Sequence, residues 1–213
     1  MANYAVNPEL LQPYLPAGTE LDYWNGTCYV SVVGFMFQET RLKGIKIPFH
    51  VNFEEVNLRF YVRYRQADSW RRGVVFIKEI VPKPALTWVA NRVYKEKYQT
   101  LPMQHNWTNQ NGELQVQYRW KTSHWNNFSV TTRADAHPIA AGSEEEFITE
   151  HYWGYTDIGG NRTSEYEVVH PKWDVYPLLR YAINVDFNNT YGNNFAFCNN
   201  SNPYRFSWPK GRP

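Results

Sequence analysis

Between Phe49 and Arg63 the chain reads FHVNFEEVNLRFYVR. From Phe53 onward polarity alternates residue by residue. Val56, Leu58, Phe60 and Val62 fall on one side; Glu55, Asn57, Arg59, Tyr61 and Arg63 fall on the other. A strand turns successive side chains to opposite faces, so this is a strand with one apolar face and one chemically rich face. Two readings of the rich face stay open: the solvated side of an antiparallel sheet, or the lining of a cavity. Thr27 to Gln38 is apolar on both sides and reads as a buried strand. Asn25-Gly26 before it is a hairpin signal that would join it to an extended Glu20–Trp24. Gly73 to Val81 is a further strand in which Lys78 and Glu79, being neighbours, face opposite sides. The one that faces inward is the ionisable group whose pKa burial would shift.

Glu113–Lys121 and Asn126–Arg133 read as a hairpin around Ser123-His124. Tyr152–Thr156 and Thr163–Val169 read as another around Gly159-Gly160-Asn161, ended by His170-Pro171. Helical signals are fewer. Pro8–Tyr14 follows the cap Asn7, and Ser143 with Glu146 forms a capping box. Leu86, Val89, Val93 and Tyr94 recur at helical spacing and predict a helix over Ala85–Tyr98, and Pro177–Phe187 is a candidate last helix. A turn is expected around Lys43-Gly44, a polar loop over Gln66–Arg72, and a loosely packed tail over Asn188–Pro213. With no repeat and no linker, residues 1–213 read as one domain.

Composition strengthens the β reading. Aromatic residues make up 17% of the chain, with 9 Trp and 16 Tyr, and such side chains suit pleated, half-buried surfaces and pocket walls. The formal charge of +2 comes with no basic stripe, which argues against nucleic acid as a partner. No apolar run is long enough for a membrane span, and MANYAVNPELL lacks the apolar core of a signal peptide, so a cytoplasmic protein with no membrane partner is expected. Two cysteines, Cys28 and Cys198, make no disulfide framework. The six histidines have no metal-ligand spacing, so no metal and no cofactor is predicted. Self-association into a homo-oligomer stays open.

Four blocks in order, LLQPYLPAGTELDYWNG, FHVNFEEVNLRFYV, RRGVVFIKEIVPKPALTWVA and EHYWGYT, resemble the DUF2071 (YqjF-type) family of uncharacterised bacterial proteins. That family is similar to acetoacetate decarboxylase. The resemblance implies a mainly β (α+β) fold: a cone-shaped, largely antiparallel, barrel-like arrangement with a few outer helices and an inner cavity. It also implies a chemistry to look for, in which a lysine in a Pro-Lys-Lys motif forms a Schiff base with a β-keto acid near strand glutamates. Glu55 resembles one such glutamate. A second, expected on Thr27–Gln38, is missing, because that strand offers Ser31, Val32 and Val33 there. Pro102 is followed by Met103, Gln104 and His105, and neither a thioether nor an amide forms a Schiff base.

The candidate ligand-binding set is therefore Glu55, Asn57 and Arg59, with Met103, Gln104 and His105 at the mouth or floor and Tyr118 and Trp120 as walls. An arginine among aromatics suits a carboxylate or another planar anion. Binding of a small molecule, a carboxylate or a carbonyl compound, without Schiff-base chemistry is the leading reading. The alternatives are a decarboxylase or related lyase using Lys78, Lys83 or Lys97, acid–base chemistry by Glu55 with His105, and a structural protein with no ligand.

Overall fold

The computed structural model describes residues 1–40, 51–168 and 172–203 and the backbone of 205–206. The expected turn at Lys43-Gly44, His50 and the strand stop at His170-Pro171 lie outside them. In chain order come β1 (Ala2–Ala5), β2 (Thr19–Leu21), β3 (Tyr29–Phe37), β4 (Phe53–Gln66) and β5 (Ser69–Val81). Then follow α1 (Pro84–Val89), β6 (Tyr98–Thr100), β7 (Met103–Gln110), β8 (Glu113–Lys121) and β9 (Trp125–Arg133). The last part holds β10 (His137–Pro138), α2 (Glu144–Thr149), β11 (Trp153–Asp157), β12 (Thr163–Glu167), β13 (Asp174–Val175), β14 (Leu178–Asn184), α3 (Phe187–Tyr191) and β15 (Arg205–Phe206).

The alternating strand is β4, and it lies in the middle of the larger sheet, ordered β12-β11-β5-β4-β3-β1-β15, with β2 added to β4 and β6 to β5. Pairing is antiparallel except for β5 with β6 and β5 with β11. A second sheet, β14-β9-β8-β7, is wholly antiparallel. Among the described residues the sheets stay separate and do not close into a ring of paired strands. The apolar face of β4 (Val56, Leu58, Phe60, Val62) packs in one cluster with Val116, Tyr118, Trp120, Phe128 and Val130 of the second sheet. On the opposite face, Tyr61 joins Tyr29, Val33, Val74 and two residues of α2, Phe147 and Ile148.

Several local expectations change. The Pro8–Tyr14 segment forms two short 3-10 turns, with Asn7 Oδ1 accepting from the Glu9 amide at 3.1 Å. Asn25 and Gly26 do turn the chain, at φ 47° and 77°, but the hairpin stops at the Trp24–Thr27 bridge and β2 pairs with β4. The polar loop Gln66–Arg72 is strand almost throughout, paired down to Gln66 with Ser69, with the guanidinium groups of Arg63 and Arg65 at 4.2 and 5.1 Å from the centre of the Trp70 ring. The expected helix Pro177–Phe187 is the edge strand β14, because β9 offers it an antiparallel ladder from Leu178 to Asn184, interrupted only by a bulge at Leu179. The tail is packed as far as it is described: Phe187, Tyr191, Phe195 and Cys198 are buried in the main cluster. Asp186 caps α3 by accepting from the Asn189 amide at 3.1 Å.

Candidate functional site

Glu55, Asn57 and Arg59 share the second face of β4; Glu55 and Asn57 are not solvated, and Arg59 is half-buried. Glu55 and Asn57 are each only 1% exposed. Across β5 stands Glu79, directly opposite Asn57 and 2% exposed. Simple alternation along β5 would not put Glu79 on the face that also carries Phe76 and Val74. A bulge between Leu58 and Arg59 makes this possible: Lys78 opposes Leu58, Phe76 opposes Arg59, and Ile77 is the extra residue. Bulges re-aim side chains in this way. Lys78 accordingly points into the main cluster and donates to the Thr190 carbonyl, while burial holds its amine below the usual lysine range.

The third piece comes from beyond α1. The helix expected to run to Tyr98 leaves α-helical geometry at Ala90, makes a π-helical turn over Ala90–Tyr94, and stops at Lys95 in the left-handed region, φ 60°. The Glu79 amide donates to the Lys97 carbonyl at 3.1 Å, which draws residues 96–98 alongside β5. Glu96, Lys97 and Tyr98, read from the sequence as a helix end, thereby become part of the site. Asn91 fixes the join by bonding both backbone groups of Tyr98 at 2.8 Å.

The Tyr98 hydroxyl donates to Glu55 Oε2 at 3.2 Å and also reaches the Glu79 carboxyl. Asn57 Nδ2 donates to Glu55 Oε1 at 2.8 Å, and Thr156 of β11 donates to Glu96 Oε1 at 2.9 Å. Burial pushes the Glu55 carboxyl up to about 7, against the hydrogen bonds from Asn57 and Tyr98 and the charge of Arg59. Glu79 is raised well above its usual range by burial and then by Glu55 and Glu96; Glu96 is raised by burial. Lys97 is lowered by burial, against the pull of Asp157, Glu96 and Glu79, and its ammonium sits 5.6 Å from the centre of the Tyr14 ring. Tyr166 of β12, 37% exposed, stands at the solvent edge of the cluster. Its ring lies across Gly154, and burial followed by Glu79, Glu96 and Glu55 raises its hydroxyl pKa far above normal.

The other predicted residues lie elsewhere. Arg59 turns from Glu55 toward the Ile148 carbonyl, 3.3 Å away, and Met1 Sδ at 3.7 Å. Tyr118 and Trp120 are fully buried in the cluster between the sheets, across β4 from Glu55. Met103 packs against that same cluster. His105 meets Glu54 at 3.2 Å, not Glu55, and Gln104 accepts from Arg119 at 3.2 Å. The candidate set thus divides. Glu55, Asn57 and Arg59 lie on one side of the larger sheet; Met103, His105, Tyr118 and Trp120 lie on its other side, toward the second sheet, and Gln104 lies at the surface. Glu79 was visible in the sequence as an ionisable residue in an apolar strand, whereas Glu96, Tyr98, Thr156 and Tyr166 carried no local signal. The second glutamate comes from β5, the neighbour of β4 opposite to the β3 strand on which the resemblance expected it. Among the described residues, no three His, Cys, Asp or Glu side chains are grouped to hold a metal ion, and no helix is long and apolar enough to cross a membrane.

This arrangement of sheets recurs in solved structures. An acetoacetate decarboxylase-like enzyme from Sphingomonas wittichii RW1 matches at TM-score 0.59 and 13% identity, covering 92% of this chain and 80% of that one. The acetoacetate decarboxylase of Legionella pneumophila matches at TM-score 0.56 and 12% identity, covering 89% of this chain and 74% of that one. At such identities the likeness shows the fold alone: the acetoacetate decarboxylase-like class. Within it, residues 1–210 match the model of DUF2071, described as an uncharacterised conserved protein, and the chain belongs to that family. The uncharacterised protein YqjF of Bacillus subtilis (strain 168) is 35% identical over 65 residues, a stretch spanning 30% of this chain and 27% of that protein.

Proposed function

We propose that this protein binds a small polar molecule at the Glu55 cluster and that Glu55 exchanges a proton with it, without a Schiff-base lysine. The observation that carries this reading is the pair Glu55 and Glu79, both almost wholly buried and both within reach of the Tyr98 hydroxyl. A carboxyl titrating at about 7 is half protonated at neutral pH, so it can give a proton to a ligand or take one from it. A structural ion pair would instead lower it. The acid–base pairing of Glu55 with His105 has no support in the geometry, since His105 lies with Glu54. Calorimetric titration of small carbonyl compounds, carboxylates and amines against the protein and its Glu55→Gln variant tests the reading. Binding lost in the variant is expected; binding unchanged in the variant would sink it.

The keto-acid lyase reading keeps one specific support. Lys97 follows Glu96 in the same segment, and although its side chain reaches the surface, partial desolvation lowers its amine pKa against the pull of Asp157, Glu96 and Glu79. Borohydride reduction in the presence of acetoacetate or pyruvate separates the two. We expect no covalent adduct. An adduct mapped to Lys97 would replace the binding reading by the lyase one.

A further inference from the structure

Beside Glu55 two buried acceptors go unmet, while Arg59 Nε, an unmet donor on the same face of β4, belongs to a side chain turned toward the Ile148 carbonyl. Asn57 spends its Nδ2 on Glu55, and its Oδ1 is buried with no partner; Glu79 Oε2 is likewise buried and unpartnered. These two acceptors belong to residues directly opposed across β4 and β5. Unmet buried acceptors are costly, and a ligand that brings donors removes the cost. Charge points the same way. The charged and titratable groups that act on Glu55 or on its neighbour Glu79 are those two carboxyls themselves, Glu96, Lys97 and Tyr98 from the segment after α1, Tyr166 from β12, Tyr191 from α3, and, from the side, Arg59 of β4. Burial and mutual repulsion hold protons on Glu55 and Glu79, and an ammonium that takes the place of the Glu55 proton leaves the net charge of the site unchanged. The rings of Tyr98 and Tyr166 lie near the same carboxyls, and aromatic faces attract cations. A carboxylate ligand would instead add a negative charge beside these carboxyls in a poorly solvated place.

We propose that the ligand of the Glu55 cluster is a small primary amine, bound as an ammonium ion with its N–H groups donating to Glu79 Oε2, Asn57 Oδ1 and Glu55. This rests on the binding reading above and deepens it. Ammonium binding displaces the proton that otherwise neutralises the carboxyl pair, so affinity and proton release are linked.

The test uses the full chain with propylammonium and ethanolammonium as probes, and acetoacetate and acetone as competitors, read by the carboxyl carbon resonance of Glu55 and by calorimetry. The amines are expected to bind and to release about one proton. Their affinity should then rise about tenfold per pH unit across the interval below the Glu55 midpoint. Glu79→Gln should weaken them about tenfold or more while its thermal unfolding stays cooperative. Acetoacetate or acetone moving the Glu55 resonance while both amines leave it unmoved would overturn the inference and leave the binding reading standing. Amine affinity that is independent of pH, or equal in Glu79→Gln, would overturn it as well. No probe moving the resonance would remove both.

Discussion

Burial moves two acid–base groups of this protein in opposite directions within one pH window. Glu55, raised from 4.5 to about 7, keeps its proton in the folded chain after the unfolded chain has lost it. Its contribution to stability is fully present below 4.5 and is lost as pH rises through about 7. His151 is the reverse case. Burial lowers it from 6.5 to about 4 although its Nε2 lies 3.1 Å from Asp22 Oδ2, so it contributes above 6.5 and is lost as pH falls toward about 4. Burial alone would raise Asp22, but the bonds from His151 and from Arg72 at 2.6 Å outweigh it and hold the carboxyl below its usual value. Glutamine copies the protonated form of a glutamate. Glu55→Gln should therefore gain stability relative to the parent by ~1.4 kcal/mol per pH unit between 4.5 and about 7, levelling off above. Denaturant unfolding at a series of pH values measures this; parallel curves for the two proteins would contradict it.

At the scale of elements, the site is built where two segments break their own regularity, β5 at its bulge and the α1 region at its π-helical turn, and where β11 has no side chain, at Gly154. These are also the places the sequence left obscure. The period-two pattern of β4 placed Glu55, Asn57 and Arg59 on one face correctly, because a strand paired on both sides and packed on both faces has no freedom to slip. The same rule applied to β5 misjudges Glu79, since one extra residue, Ile77, reverses the parity beyond it. The helical spacing of Leu86, Val89, Val93 and Tyr94 was real enough to form a helix. Yet no residue from Pro84 to Tyr94 is buried, and the pairing of β6 with β5 at Glu79–Tyr98 decides the rest. Tertiary pairing overrode local propensity there and at β14.

Gly154 provides a direct test of what Tyr166 does at the solvent edge of the cluster. A Cβ at this position would lie 2.3 Å from Tyr166 Cζ, so Gly154→Ala must move the Tyr166 ring. Solvent would then reach the carboxyls, and the Glu55 midpoint should fall toward its ordinary value, read from the carboxyl carbon resonance. Gly34→Ala is the control. Its Cβ would meet the Tyr118 ring at 2.6 Å in the other cluster, which should cost ~1–3 kcal/mol of stability and leave the Glu55 midpoint where it was. A Glu55 midpoint unmoved by Gly154→Ala would show that Tyr166 is not what keeps water out.

Across the whole molecule, one sheet separates a structural side from a chemical side. The cluster between the sheets holds the fold together, and the face under α2 and Tyr166 carries the titratable groups. This division explains why the sequence assembled a candidate set that the fold splits. Tyr118 and Trp120 have the composition of pocket walls, but large buried aromatics serve packing equally well. Only strand pairing tells which side of β4 they occupy. Trp120→Ala should accordingly cost ~3–5 kcal/mol in denaturant unfolding, while Trp88→Ala, at a position 66% exposed on α1, should stay within ~0.5 kcal/mol of the parent. Neither change reaches the carboxyl cluster, so both variants should retain the parent's Glu55 titration. The likeness to decarboxylases at 12–13% identity fits the same division, since a shared arrangement of sheets can carry different chemistry on its functional face. The measurement that bears most directly on this account is the pH titration of the Glu55 carboxyl carbon in the intact protein, assigned by comparison with Glu55→Gln. A midpoint of about 7 is predicted, and a midpoint near the ordinary 4.5 would contradict a buried, proton-exchanging site at Glu55.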